Sequence, residues 1–215
     1  MTDELELLKK DWQKKEDHLP KLSYNELHRM IWKKSSSIVK WILIISVLEL
    51  TLPNLLYLLP SMDQSLEIYD QLGILSVSKI LWGIGHLITF FFVYQFYRRY
   101  KEISILDNSK DLMEKIIRTR RTVKHYVICA LSLLFVSCVV LVIGMAYSDN
   151  LIEIFAAGRN LEGVTPEGFK TATVLSMSIF CIILVAVMGG IYFLLYGLLL
   201  RKLKKNYREL KKLEV

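Results

Sequence analysis

The sequence predicts an all-α fold: an integral membrane four-helix bundle of two helical hairpins, with an N-terminal amphipathic cytoplasmic helix and cytoplasmic extensions of the spanning helices. Three observations predict it. Four long apolar runs occupy residues 38–59, 74–97, 126–147 and 171–200. Each supplies the roughly 20 residues a helix needs to cross about 30 Å of hydrocarbon, and only a helix satisfies the backbone of such a run in lipid. The basic residues fall into alternate gaps: nine from Lys9 to Lys40, nine from Arg98 to Lys124 and seven from Arg201 to Lys212, with only Lys79, Arg159 and Lys170 elsewhere. Finally, 53% of the 215 residues are hydrophobic and only 10 are Gly and 4 Pro, so four spans leave no room for a separate soluble catalytic domain.

A formal charge of +7 next to membrane spans points to orientation and anionic lipid headgroups, with nucleic acid an unlikely partner. Cytoplasmic flanks retain excess Lys and Arg, which predicts that both termini and the middle connection, residues 98–125, are cytoplasmic. The outer loops, residues 60–73 and 148–170, carry Asp63, Glu67, Asp70, Asp149, Glu153, Glu162 and Glu167. Trp32, Trp41, Tyr97, Tyr100, Tyr126 and Tyr147 stand at span ends, where aromatic rings anchor at the interface. The charged N-terminus precedes no short apolar core with a cleavage site, so no removable signal peptide is expected. Cys129, Cys138 and Cys181 lie inside spans without a C-x-x-C pair and read as packing residues.

Along the chain, residues 1–37 form a cytoplasmic amphipathic arm. Residues 3–17 place Leu5, Leu8 and Trp12 on one face, with Asp3, Glu4 and Glu6 in the first turn and Lys14 and Lys15 in the last, the order the helix dipole favours. Leu5, Leu8 and Trp12 are candidate anchors for a protein groove or a headgroup surface. Pro20 ends that helix. Ser23-Tyr24-Asn25-Glu26 is a capping box, flanked by the staple Leu22 and Leu27, and no breaker follows before the first span. In the middle connection, Asp107-Asn108-Ser109 marks a turn and cap before Leu112, Met113, Ile116 and Ile117 at helical spacing, so this helix should run into the third span. The tail, residues 201–215, keeps Leu203, Tyr207, Leu210 and Leu213 in helical register, which extends the fourth span as a rod.

Glu49 lies near the middle of the first span, where a charged side chain costs about 2.5–3.5 kcal/mol. Fourteen Ile, Leu and Val residues in that run offset the cost. They do not explain why the acid is there, and intramembrane carboxylates face the bundle interior with a partner. His86, near the midpoint of the returning second span, is the expected partner. The pair could share a proton, bind a metal, or form only a buried hydrogen bond. Pro53 and Asn54 loosen the helix one turn beyond Glu49 and free a carbonyl near it. Gly83, Gly85, and Ala186 with Gly190 suit close helix packing, within the chain or in a homo-oligomer.

The stretches Leu5-Glu6-Leu7-Leu8-Lys9-Lys10-Asp11-Trp12, Leu22-Ser23-Tyr24-Asn25-Glu26-Leu27 and Lys33-Lys34-Ser35-Ser36-Ser37-Ile38-Val39-Lys40-Trp41 resemble an uncharacterised family of small four-span proteins from flavobacteria and their relatives. That implies a multi-pass protein of the bacterial inner membrane. Members sometimes carry the label β-carotene monooxygenase, an enzyme that holds iron with four histidines; here His18, His28, His86 and His125 are scattered over helices, and the label does not fit. The layout also resembles membrane-bound anti-sigma factors, whose N-terminal cytoplasmic helices grip a transcription factor, although no Cys precedes Cys129 to supply the zinc pattern of one such class. The expectation is therefore a membrane-tethered regulatory or scaffold protein acting on a cytoplasmic partner through the arm. The alternative is a small oligomeric transport or channel subunit using Glu49 and His86. No nucleophile and base stand at a membrane face, so neither an enzyme nor a cofactor is expected.

Overall fold

A computed structural model describes residues 23–56, 62–103, 109–156 and 165–213. All are helix or short connection, and four helices are long and apolar enough to cross a membrane. The first of these, α1 (Tyr24–Leu56), is followed by α2 (Met62–Gln71), a short helix in the first acidic connection. The remaining spans are α3 (Leu75–Ile103), α4 (Ser109–Tyr147), and α6 (Pro166–Tyr192), the last preceded by the short α5 (Leu151–Ala156). The fourth span continues through a π turn (Phe193–Gly197) into α7 (Leu198–Leu213).

Local signals account for most boundaries. The capping box forms as read: the Ser23 N–H donates to the Glu26 carboxylate at 2.9 Å, and the Glu26 N–H donates to Ser23 Oγ at 3.3 Å. The bond from the Ser23 amide, with a second from its hydroxyl, holds the exposed Glu26 carboxyl below its ordinary range. Gly73 ends α2 at φ +68°, with its N–H on the Asp70 carbonyl and the Ile74 N–H on that of Tyr69. That left-handed end suits glycine, and it turns the chain straight into α3. Thr165 caps α6 by accepting from the Gly168 N–H, with Pro166 in the first turn. The acidic connections thus contain short helices where loops were expected.

The bundle has two apolar clusters. At the end carrying most basic residues, Ile38, Val39 and Ile42 of α1 pack with Phe92 and Phe96 of α3, Val123 and Tyr126 of α4, and Tyr196 and Leu203 of the fourth span. This packing continues beyond the apolar runs, where the Asn206 amide donates to Ser35 Oγ at 3.0 Å and Trp32 Nε1 donates to the Ile103 carbonyl at 2.6 Å. The extensions of the four spans therefore make one bundle beyond the apolar runs. At the acidic end, Leu72, Ile74, Met145 and Leu151 form the second cluster. Between the two clusters burial is sparse: no residue from Leu75 to Phe91 is buried, and Leu87, Phe90, Ile128, Phe135, Phe180 and Ile182 are exposed. Such a surface is stable facing lipid.

α1 packs on α3 and on α7, and α4 packs on α3, α6 and α7, whereas α1 and α6 make no comparable contact. The first span consequently joins the basic-end cluster alone, whereas α4 and α6 also meet in the acidic-end cluster. Among the glycines expected to mark close packing, Gly85 does so, since a Cβ there would meet Leu133 Cδ2 at 2.8 Å. Gly83 and Gly190 face open space. Gly144, where a Cβ would lie 2.6 Å from Ile74 Cγ2, is the closest approach at the acidic end.

Candidate functional site

The gap between α1, α3 and α4 is a cavity of about 660 Å³. It runs from Leu66 and Tyr69 of α2 and Lys79 of α3 down to Glu49, Tyr126 and Tyr192. Trp82, Gly85, His86 and Thr89 line it from α3, Pro53 and Asn54 from α1, and Leu133 and Ser137 from α4. Both intramembrane residues singled out from the sequence border this one space.

Glu49 accepts a hydrogen bond from the Tyr126 hydroxyl. The Tyr196 hydroxyl is buried beside the same carboxylate, close enough to feel its charge but off hydrogen-bonding geometry, and has no hydrogen-bond partner. Tyr192 completes the surround, stacked on Tyr196 at 5.9 Å between ring centroids and edge-on to Tyr126 at 6.2 Å. Among the described residues, no Lys, Arg or His forms an ion pair with Glu49. Its carboxyl therefore meets phenols and no countercharge. A bare carboxylate in such surroundings is costly, so stability demands a proton or a cation beside it.

The sequence placed His86 level with Glu49. The structure instead joins His86 Nε2 to Asn54 Oδ1 at 3.1 Å, with Nδ1 2.9 Å from the Trp82 carbonyl. Asn54 stands five residues beyond Glu49, about 7.5 Å along a helix. The turn ending at Gly73 offsets α3 against α1, and counting from span ends misses that offset. Glu49 and His86 thus bond to different partners and share the cavity rather than a hydrogen bond. Pro53 has no N–H to offer the Glu49 carbonyl four residues earlier, and the Asn54 amide donates to the Leu50 carbonyl at 2.6 Å.

Tyr126 corrects a second expectation. Read from the sequence as an interface anchor, it is 2% exposed and sits in the bundle core against Phe92, Phe96, Tyr192 and Tyr196. Below Glu49 these rings and the apolar cluster seal the cavity towards the basic end. Tyr126, Tyr192 and Tyr196 are the site residues that sequence reasoning missed. The available signal was the four-residue spacing of Tyr192 and Tyr196, which puts both on one face of the fourth span. The arm residues Leu5, Leu8 and Trp12 lie outside the described residues.

Cys138 and Cys181 are buried free thiols, adjacent across α4 and α6 on a separate apolar groove, and Cys129 is half-buried.

Fold and site together define a multi-pass helical membrane protein with a largely apolar cavity in its span region that ends on an acid. A family model described as Domain of unknown function (DUF8845) matches residues 25–215, and the chain belongs to that family. No curated protein and no solved structure matches the chain.

Proposed function

We propose that this protein is a small transport or channel subunit in which Glu49 takes up a proton or a cation from a cavity entered at the acidic end. The observation that carries the reading is the carboxyl of Glu49, set at the floor of an intramembrane cavity with tyrosine hydroxyls around it and no basic partner. A buried acid kept only for structure is expected to meet a donor set that satisfies it, and here the Tyr196 hydroxyl is buried beside Glu49 without a hydrogen-bond partner. The charge distribution supports an orientation with the basic end in the cytoplasm of a bacterial inner membrane, so that the cavity faces outward. The regulatory reading through Leu5, Leu8 and Trp12 rests on the amphipathic pattern of the arm alone.

Proteoliposomes holding the full chain and an entrapped pH dye test this. An imposed proton gradient should drive a flux that Glu49→Gln abolishes while leaving thermal unfolding cooperative. Wild-type vesicles no leakier than empty ones, or a flux indifferent to Glu49→Gln, would overturn the reading.

A further inference from the structure

We propose that the Glu49 cavity binds a lipophilic organic cation, a quaternary ammonium or phosphonium ion of aromatic or branched shape. The inference rests on the reading of Glu49 as a working site and names what that site takes.

Four features of the cavity select this chemistry. Its volume, about 660 Å³, lies within the range that holds drug-sized molecules and far exceeds what a dehydrated metal ion fills. Its wall is largely apolar, with Leu50, Leu81, Ile88, Leu133 and Leu134 between the polar groups. That suits a hydrophobic ligand body and is too poor in oxygen to replace the hydration shell of an inorganic ion.

Several of the polar groups that line the cavity carry oxygen lone pairs, beside donors on Lys79, Trp82 and His86. The Thr89 hydroxyl donates to the Gly85 carbonyl at 2.9 Å and that of Ser137 to the Leu133 carbonyl at 3.0 Å, leaving oxygen lone pairs for the cavity. Asn54 donates one of its two amide hydrogens to the Leu50 carbonyl, and its oxygen lies 3.1 Å from His86 Nε2. At the floor, Glu49 is the one acidic side chain among the described lining residues, with the Tyr126 hydroxyl on it and Tyr192 also lining the wall. Tyrosine rings within about 6 Å of a cation attract it through their quadrupole, the more so when both are desolvated.

Two basic side chains share the cavity and neither reaches its floor. His86 is engaged with Asn54 and the Trp82 carbonyl. Lys79 is exposed at the rim, seven residues or about 10 Å nearer the start of α3 than His86. An organic cation at the floor would therefore meet Glu49 as its countercharge, and its apolar groups would fill space that otherwise separates α1, α3 and α4.

The probe pair is tetraphenylphosphonium and tetraphenylborate, ions of one shape and opposite charge, titrated calorimetrically into the full chain in lipid nanodiscs, with empty nanodiscs subtracted. Saturable binding of tetraphenylphosphonium alone is expected, weakened roughly ten-fold or more by Glu49→Gln and by Tyr192→Ala but little changed by Tyr192→Phe, which keeps the ring. Thermal unfolding of each variant verifies that it is folded, and Tyr192→Phe against Tyr192→Ala decides the matter if Glu49→Gln is not. Equal binding of both ions, or binding untouched by Glu49→Gln in a folded protein, would overturn the proposal as simple partitioning. No tetraphenylphosphonium binding in a protein that still shows Glu49-dependent proton flux would overturn the organic cation and leave the transport reading standing.

Discussion

Glu49 is stabilised by hydroxyl groups alone, and that has consequences for single substitutions. Tyr126→Phe removes its one hydrogen-bond donor and should cost about 1–3 kcal/mol, read as a lowered unfolding temperature in detergent. The double substitution Glu49→Leu with Tyr126→Phe should act in the opposite direction, raising the unfolding temperature while abolishing flux, because apolar residues replace both partners of a bond that is expensive to hold in the bilayer. A fall in stability on the double substitution would mean that the acid is structural. Glu49 was legible in the sequence, since an acid inside an apolar run announces itself. Its true neighbours were not: Tyr126 stands where aromatic anchors stand, and hydropathy does not tell which way a ring at a span boundary faces.

Among the elements, the long helices were legible because capping chemistry and apolar periodicity agree with each other. The Ser23–Glu26 box makes a prediction with a definite sign. The folded state holds the Glu26 carboxyl below its unfolded value of 4.5, so the stability it adds is present above that value and is lost as pH falls through the lower, folded one. Amide exchange in the first turn of α1 should rise on acidification through that window, and Glu26→Gln should remove the pH dependence.

Two glycines separate backbone strain from packing. A Cβ at Gly73 or at Gly83 meets no atom within 4 Å, yet only Gly73 has a positive φ. Gly73→Ala should therefore destabilise by about 1–2 kcal/mol, and Gly83→Ala, inside a helix, should be neutral or slightly stabilising. Similar unfolding temperatures for the two would contradict this account of the α2–α3 turn. The π turn at Phe193–Gly197 left no trace in the sequence pattern, because a shift from i+4 to i+5 bonding hardly alters apolar spacing. It stands where Tyr192 and Tyr196 face Glu49, and π turns are frequent at functional sites.

At the scale of the whole molecule, the sequence shows the number of spans and the asymmetry of charge, but not how the helices slide past one another. The pairing of His86 with Asn54 instead of Glu49 depends on the turn at Gly73 and on Gly144 meeting Ile74, and an apolar run permits many registers. The first span joins the others in the basic-end cluster and takes no part in the acidic-end one, which makes the cavity one-sided. That shape is open to a direct measurement in vesicles, with a small membrane-impermeant thiol reagent and single cysteines in a chain whose Cys129, Cys138 and Cys181 have been replaced. Ser78→Cys, Thr89→Cys and Ser137→Cys, all on the cavity wall, should react from the acidic side only, and Val123→Cys, beneath the aromatic seal, from neither side. Reaction of the cavity positions from the basic side, or no reaction at all, would contradict a one-sided cavity that ends on Glu49.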